Sequence, residues 1–367
     1  MMANQQIFVR GNDGNLWLET GPFGAVPLPP CVVPGQGSCR VQVDGNVSNI
    51  FSQVGENRVW RTPFQALDQN TIFVLGSDNN LWLEFAPFGT VPPKRTQIDA
   101  NVDTFQALDQ NTVLVQGTDG NLWLEISPFG TVPPYRTQVD GSVNAFQALD
   151  QDTIFVLGND GNLWLEYGPF GQVPLPPCGG TSSCRAQVDA NVLQFWAPEP
   201  TPGSVYVLGS DLNLWYEPGP FGDLNITTSD RSQIDSNAND FQPLSFLNGT
   251  NAVLVLGHDG NLWLEYAPYK GVANTIQTRT FVDGNVIAFG AIPTAASPED
   301  LEIFIIDGNY NLWDEHWPFG ANNRTQVDGS VNSCQPLYSQ PSLLGGMVKR
   351  RQPPTRATRV LRPTTRL

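Results

Sequence analysis

A glutamate and an arginine each recur seven times along this 367-residue chain, at fixed places in a repeated segment. The glutamate ends a run that begins Asn-Leu-Trp, and the arginine opens a run of the form Arg-x-(Gln or Phe)-(Val or Ile)-Asp. If the two runs are neighbouring antiparallel strands, each glutamate faces the arginine of its own repeat, which predicts a structural ion pair. Seven carboxylates could instead bind cations, although a matched arginine for each disfavours this. The predicted pairs are Glu19 with Arg40, Glu84 with Arg95, Glu125 with Arg136, Glu166 with Arg185, Glu217 with Arg231, Glu265 with Arg279 and Glu315 with Arg324.

An aromatic residue recurs in a proline-flanked loop after each of these glutamates. On such a stiff loop it could stack on a sugar or anchor a partner protein. It could instead fold down over the edge of the sheet as a plug, which is the arrangement that we favour. The ligand-binding candidates are Phe23, Phe88, Phe129, Phe170, Phe221, Tyr269 and Phe319. The repeated tryptophans are flanked by leucines in mid-strand, so we expect them in the core.

Catalytic chemistry is not indicated. The two histidines, His258 and His316, fall at unrelated places in the repeat and in no nucleophile motif. A phosphate-binding loop and metal-ligand spacing are both missing from the sequence. Paired carboxylates could hydrolyse glycosidic bonds, but nothing singles out one repeat. We therefore expect no enzyme activity, no cofactor and no metal.

The elements that carry these residues follow from the repeat itself. The unit at residues 105–145 reads as four extended stretches, at 105–108, 113–117, 121–126 and 136–140. Asp119-Gly120 supplies the positive φ angles of a tight hairpin turn between the second and third stretches. Four short strands in about 41 residues is the size of one propeller blade. The repeat register is marked by tryptophans at Trp17, Trp82, Trp123, Trp164, Trp215, Trp263 and Trp313.

The fold class is therefore predicted to be all-β, a seven-bladed β-propeller of four-stranded antiparallel blades. The first repeat begins at its second strand, and residues 329–337 align with the start of a repeat. We expect this leftover C-terminal strand to complete the N-terminal blade and close the ring, which removes open sheet edges. An open solenoid is the alternative.

Two repeats carry the same insertion, each bracketed by two cysteines. The predicted disulfides are Cys31 with Cys39 and Cys178 with Cys184. They would imply an oxidising compartment or release from the cell, although no secretory signal is readable at the N-terminus. Four reduced thiols are the alternative, and the localisation stays open. Cys334 replaces an aromatic residue of the first strand and is expected to be buried.

Charge divides the chain into a predicted propeller at 1–344 and a basic, disordered tail at 345–367. The chain has a formal charge of −16, yet the tail contains seven basic residues and no acidic one. The acidic ring should repel nucleic acid, whereas the tail could tether a polyanion or a partner, fold back on its own ring, or serve as a bland solubilising end. Apolar runs long enough to span a bilayer are missing from the sequence.

The segment at residues 7–17 and its copies, such as 156–164, resembles the repeat of tectonin-like bacterial propeller lectins. The likeness covers the central hairpin of all seven units, with Asn309 in place of the turn aspartate in the last. It implies a seven-bladed fold that binds fucose or related sugars between blades. The fourth strand here lacks the paired tryptophans that help to wall the sugar site in such lectins.

Two functions follow from these observations. The first is a multivalent carbohydrate-binding, lectin-like propeller, in which weak equivalent sites gain avidity on one surface. Its partners would be glycans or glycoconjugates. The second is a protein–protein interaction or structural scaffold with a basic tethering tail.

Overall fold

The computed structural model describes residues 6–24, 27–31, 38–48, 63–89, 94–130, 135–178, 183–198, 203–221, 231–245, 251–267, 269, 279–291, 297–320 and 323–337. Within these residues, 28 strands form seven sheets of four antiparallel strands each. One short 3₁₀ helix, Pro298–Asp300, precedes the twenty-fifth strand. The chain is a seven-bladed β-propeller, as predicted.

The first blade takes its inner strand from the C-terminus. Its strands, from the inside outward, are β28 (Val331–Leu337), β1 (Gln6–Gly11), β2 (Leu16–Thr20) and β3 (Cys39–Asp44). The second blade contains β4 (Phe64–Asp68), β5 (Thr71–Leu75), β6 (Leu81–Phe85) and β7 (Lys94–Asp99). The third contains β8 (Val102–Asp109), β9 (Thr112–Gly117), β10 (Leu122–Ile126) and β11 (Arg136–Asp140).

The remaining blades follow the same order. The fourth contains β12 (Val143–Asp150), β13 (Thr153–Gly158), β14 (Leu163–Tyr167) and β15 (Cys184–Asp189). The fifth contains β16 (Val192–Trp196), β17 (Ser204–Gly209), β18 (Leu214–Pro218) and β19 (Ser232–Asp235). The sixth contains β20 (Ala238–Ser245), β21 (Asn251–Gly257), β22 (Leu262–Tyr266) and β23 (Arg279–Asp283). The seventh contains β24 (Val286–Ala291), β25 (Glu302–Asp307), β26 (Leu312–His316) and β27 (Arg324–Asp328).

Tight turns set the register of the central hairpin in each blade. In the third blade Gly120 has φ 78°, a conformation that favours glycine. The Asp119 carboxylate accepts a hydrogen bond from the backbone N–H of Asn121 at 3.0 Å. The same turn fixes Leu122 opposite Gln116 in the neighbouring strand. The hairpin predicted from the Asp-Gly pair is confirmed.

The ring closes through its own ends. β28 pairs antiparallel with β1, so that Val9 lies opposite Cys334. This confirms that the leftover C-terminal strand completes the N-terminal blade. Cys334 itself is half-buried and free, and burial raises the pKa of its thiol to about 12.

The core consists of seven apolar clusters, one at each seam between neighbouring blades. At the seam between the third and fourth blades, Leu122 and Leu124 pack with Ala148, Ile154 and Val156. The leucine before each tryptophan, and the one after it in five blades, therefore point into the seam with the next blade. Because both faces of a blade meet a neighbour, both faces carry apolar residues.

Backbone hydrogen bonds also join the blades. The N–H of Val143, which opens the fourth blade, donates to the carbonyl oxygen of Gly120 in the third at 2.9 Å. Nearer the centre, Gln106 donates to the carbonyl oxygen of Ala148 at 3.0 Å and accepts from its N–H at 2.7 Å. Such reciprocal bonds fix the position of one inner strand against the next.

Both predicted disulfides are present, Cys31–Cys39 and Cys178–Cys184. Each joins an inserted loop to the outer strand of its blade, and the loop adds a short parallel bridge there, Pro30 to Arg40 and Pro177 to Arg185. By its internal packing, the chain divides into Met1–Leu337 and Tyr338–Leu367. The predicted tail at 345–367 lies outside the described residues.

Candidate functional site

A polar groove recurs on one side of the third strand of every blade. Each groove contains the tryptophan and glutamate of β2, β6, β10 or their counterparts, the arginine that opens the fourth strand, and an aspartate of the preceding blade. In the third blade these residues are Trp123, Glu125, Arg136 and Asp99. The alternation of a strand puts Trp123 and Glu125 on the face opposite to Leu122.

The tryptophans are not core residues, which corrects the prediction. Each is half-buried, and a guanidinium group lies 4.0–4.3 Å from its ring centroid. A cation over the face of an indole is attracted by the negative face of the ring. Since the arginine also reaches toward solvent, the stack forms a wall of the groove rather than part of the interior. The stacks are Arg40 on Trp17, Arg95 on Trp82, Arg136 on Trp123, Arg185 on Trp164, Arg231 on Trp215, Arg279 on Trp263 and Arg324 on Trp313.

The groove arginines join two blades. In the second blade Arg95 Nη1 lies 3.7 Å from Glu84 Oε1 of its own blade and 3.5 Å from Asp44 Oδ2 of the first. In the seventh, Arg324 Nη1 lies 2.7 Å from Asp283 Oδ2 of the sixth. Arg231, Arg279 and Arg324 also lie within 4 Å of the glutamate of their own blade. Arg40, Arg136 and Arg231 lie within 4 Å of the aspartate that ends the preceding blade.

The strand register brings six of the seven predicted glutamates directly opposite their arginines. Across the pair β10–β11, for example, Glu125 faces Arg136. For Arg185 the stack on Trp164 is the side-chain contact that the structure records. The role of these residues as structural ion pairs stays a prediction, since their contribution to stability is untested. The register pairs are Glu19–Arg40, Glu84–Arg95, Glu125–Arg136, Glu166–Arg185, Glu265–Arg279 and Glu315–Arg324.

The groove glutamates are buried carboxyl groups whose pKa lies well above the ordinary value. Glu125 is fully buried, and no N–H or O–H donor among the described residues reaches its carboxylate within hydrogen-bond distance. Burial first, and the Asp99 carboxyl of the preceding blade second, raise the pKa of Glu125 to about 9 against the opposing charge of Arg136. The same causes raise the pKa of Glu84 to about 9 and of the other five to about 8, namely Glu19, Glu166, Glu217, Glu265 and Glu315.

A side-chain amide closes one end of the groove in six blades. In the third blade Gln138 donates to the amide oxygen of Asn121 at 3.2 Å. Asn121 in turn donates to Asp119 in the hairpin turn at 2.7 Å. Each groove thus holds an indole edge, a guanidinium and a buried carboxyl group in fixed positions, and six of the seven grooves also hold this pair of amides.

The aromatic residues of the proline-flanked loops pack into the seams. All seven are half-buried and lie against the apolar cluster between their own blade and the preceding one. The ring of Phe221, for example, meets Phe155 edge-on at 5.9 Å. This is the plug arrangement that the sequence left open, and no finding tests a ligand-binding role. The seven residues and their positions are Phe23, Phe88, Phe129, Phe170, Phe221, Tyr269 and Phe319.

Among the described residues, the one contact recorded between a histidine and a carboxylate lies in the seventh blade. His316 Nε2 lies 3.2 Å from Asp314 Oδ2, and this contact raises the pKa of the imidazole. Asp314 replaces the leucine found at this position in most blades. Across the described residues, no group of three or more His, Cys, Asp or Glu side chains is placed to hold a metal ion.

The partnership of each glutamate with the preceding blade was missed at the sequence level. The aspartate that ends each fourth strand accepts a hydrogen bond from the next backbone N–H, as Asp99 does from Ala100 at 2.8 Å. Its second oxygen reaches the arginine of the next blade. The strict co-occurrence of Glu, Arg and Asp in every repeat was the available signal.

Comparison with known proteins finds distant likenesses among solved structures. No family model matches the chain, and no curated protein matches it. Among solved structures, the WD40 β-propeller domain of Doa1 is 10% identical, with 88% of each chain covered and a TM-score of 0.45. The N-terminal domain of Nup159 is 11% identical, with 66% of this chain and 72% of that chain covered and a TM-score of 0.35. Likenesses this distant carry no argument about function.

No helix in the described part of the chain is long and apolar enough to cross a membrane.

Proposed function

We propose that this protein is a non-catalytic binding ring, an interaction scaffold that presents one groove chemistry seven times. The observation that supports this is the sevenfold recurrence of the tryptophan–arginine stack at 4.0–4.3 Å, each beside carboxylates from two blades. Repetition favours binding of a repeated ligand, because several weak equivalent sites on one rigid body gain avidity.

Glycans are the ligand class that fits the groove best. A sugar presents hydroxyl groups, which planar guanidinium and amide groups can bind, and an apolar C–H face, which can lie against the edge of a half-buried indole. Arg136, at 31% side-chain exposure, reaches solvent from its stack on Trp123. These groups are held by contacts within the protein, so little side-chain entropy is lost when a ligand binds.

The first test is a glycan array on the full chain, followed by calorimetric titration of any hit. We expect saturable binding with several sites per ring. Arg136→Ala should reduce the number of sites by one, whereas Phe129→Ala should destabilise the seam and leave the site count unchanged. Loss of sites with Phe129→Ala alone would place the ligand on the loops instead. A blank array with a folded ring would overturn the glycan assignment.

A basic protein partner is the second candidate, and a different feature favours it. The hairpin turns of six blades each expose an aspartate, Asp13, Asp78, Asp119, Asp160, Asp211 and Asp259. Lying at equivalent positions, these acidic turns would attract a basic surface through electrostatic complementarity. The test is titration with an oligolysine peptide at low and high salt. Salt-sensitive binding that the double variant Asp119→Asn, Asp160→Asn weakens would support this candidate, and unchanged binding would exclude these turns.

A further inference from the structure

The seam between the fifth and sixth blades differs from a regular seam at several equivalent positions. Its replacements are aromatic residues or proline. They are Trp196, Tyr206, Tyr216, Pro243, Tyr269 and Phe281, which stand where the seam between the third and fourth blades has Gln106, Leu114, Leu124, Ala148, Phe170 and Gln187. Six replacements at one seam therefore change the side chains there while the fold stays the same.

The outer part of this seam exposes an aromatic ring. Phe281 is 45% exposed, and its ring centroid lies 5.2 Å from that of Trp263 at an interplanar angle of 72°. The Arg279 guanidinium covers the indole of Trp263, 4.3 Å from its centroid, and lies 3.9 Å from Glu265. Phe281 therefore adds an open apolar face to a groove that already holds a cation and a carboxylate.

The same replacement leaves a hydrogen-bond acceptor without its usual donor. In each of the other six blades a glutamine occupies this position and donates to the amide oxygen of the turn asparagine at 2.9–3.2 Å. Phe281 cannot donate to Asn261. A Cβ placed on Gly284 would lie 3.2 Å from Asn261 Oδ1 and 3.8 Å from Phe281 Cζ, so the amide oxygen and the ring tip border the same small space.

Deeper in the seam, tyrosine hydroxyls replace apolar groups. The hydroxyls of Tyr206 and Tyr269 lie 3.4 Å apart, and the ring of Tyr216 contacts both in a tilted arrangement, with centroid distances of 5.2 and 6.1 Å. The Glu265 carboxylate is close enough to raise the pKa of Tyr269, after burial and the two neighbouring tyrosines. The tyrosine cluster and Glu265, which lies opposite Val253, therefore belong to the same seam.

We propose that the groove beside Phe281 is the preferred glycan site of the ring. One pyranose ring stacks its apolar face on Phe281 and donates a hydroxyl hydrogen bond to Asn261 Oδ1. Arg279 and Glu265 are placed at the Trp263 wall for the remaining hydroxyls. This inference rests on the proposed glycan binding and adds that the seven grooves are unequal.

The test is calorimetric titration of the full chain with the monosaccharide that the array selects. The main variant is Phe281→Gln, which installs the residue of the other six blades and restores the donor to Asn261. We expect the affinity of the tightest site to fall about tenfold, the size of one lost aromatic contact. Gln138→Ala in the third blade is the matched control and should leave that tightest site unchanged. Circular dichroism and thermal unfolding check that each variant is folded.

Phe281→Leu is the second variant, because it keeps an apolar side chain but removes the flat ring face. A similar loss with both variants supports stacking on Phe281. If Phe281→Gln binds like the wild type, with sites that remain equivalent, the preferred site is overturned while glycan binding by the ring stands. If the wild type binds no sugar at all, both the preferred site and the proposed glycan function fall.

Discussion

Each seam of this propeller has an apolar half and a polar half, and the two differ in what they tolerate. Between the fourth and fifth blades, Phe155, Leu165 and Val207 form a dry cluster with little or no exposure. In the same seam, Arg231 lies 3.7 Å from Glu217 and 3.9 Å from Asp189 of the fourth blade and remains one-third exposed. Packing in the apolar half joins the blades, whereas the polar half holds charged groups of which the arginine remains partly exposed.

The seam between the fifth and sixth blades shows where the repeat can change. Its apolar half still contains Leu214 and Val255, but tyrosines enter around them. Its polar half exchanges a glutamine for Phe281. The regular seams therefore indicate the requirements of the fold, and the departures indicate where selection for binding can act.

The largest expected effect comes from the apolar half. Phe155→Ala removes a fully buried ring that packs against Phe195 and Phe221 at about 6 Å. We expect the free energy of unfolding to fall by about 3–5 kcal/mol, because the cavity adds to the lost apolar burial. Urea denaturation measures this. Ile126→Ala, at an exposed position, is the control and should change it by less than about 0.5 kcal/mol. If both variants changed the free energy of unfolding by a similarly small amount, the apolar half would not be what holds the blades together.

The polar half should make stability depend on pH. The groove glutamates have a pKa of about 8 to 9 in the folded ring against an ordinary value of 4.5. The folded state therefore holds protons that the unfolded state releases, and stability present below pH 4.5 is lost as the pH rises through 8 to 9. Unfolding measured at pH 5, 7 and 9 should show a steady decrease.

Glu125→Gln sharpens this comparison, because glutamine cannot ionise. At pH 9 it should be more stable than the wild type by about 1–3 kcal/mol, because the wild-type carboxyl then ionises in a buried site where no donor reaches it, whereas glutamine stays neutral. The difference should vanish or reverse at pH 5. A wild-type curve that is flat between pH 5 and 9 would show that the arginines already neutralise these carboxylates.

A smaller effect is expected from the tryptophan–arginine stack. Arg136→Ala removes the guanidinium that lies 4.2 Å from the Trp123 centroid and 3.2 Å from Asp99. We expect a loss of about 1–2 kcal/mol, since the stack is partly desolvated. Arg136→Lys keeps the charge without the planar group and should recover part of the loss. If the wild type and both variants were equally stable in thermal unfolding, the stack would not contribute to the stability of the fold.

The smallest effect is expected at the hairpin turns. Asp119 accepts hydrogen bonds from the backbone N–H and the side-chain amide of Asn121, and the backbone bond is the main cause that lowers its pKa. Asp119→Ala should cost about 0.5–1.5 kcal/mol, the net value of a hydrogen bond. Because the folded pKa lies below 3.8, this contribution is present above pH 3.8 and is lost on further acidification. Unfolding at pH 3 and 5 tests it, and an equal cost at both values would contradict it.

The strands, hairpins and ring closure were predictable from the chain because they depend on local or repeated signals. Alternation gave the faces of each strand, Asp-Gly gave the turn, and the unmatched copy at residues 329–337 gave the closing strand. The pairing of Glu125 opposite Arg136 followed from antiparallel register alone. The disulfides followed from two cysteines bracketing each inserted loop.

The composition of the grooves was not predictable, because it depends on how one blade lies against the next. Sequence determined that Trp123 and Glu125 share a face, but only the packing of blades decided that Asp99 meets them and that Arg136 covers the indole. For the loop aromatic Phe129 the sequence left both a ligand contact and a plug open, and its place in the seam came from the same packing. Contacts between blades join residues far apart in the chain at an angle that no local propensity encodes, so the tertiary structure alone could decide them.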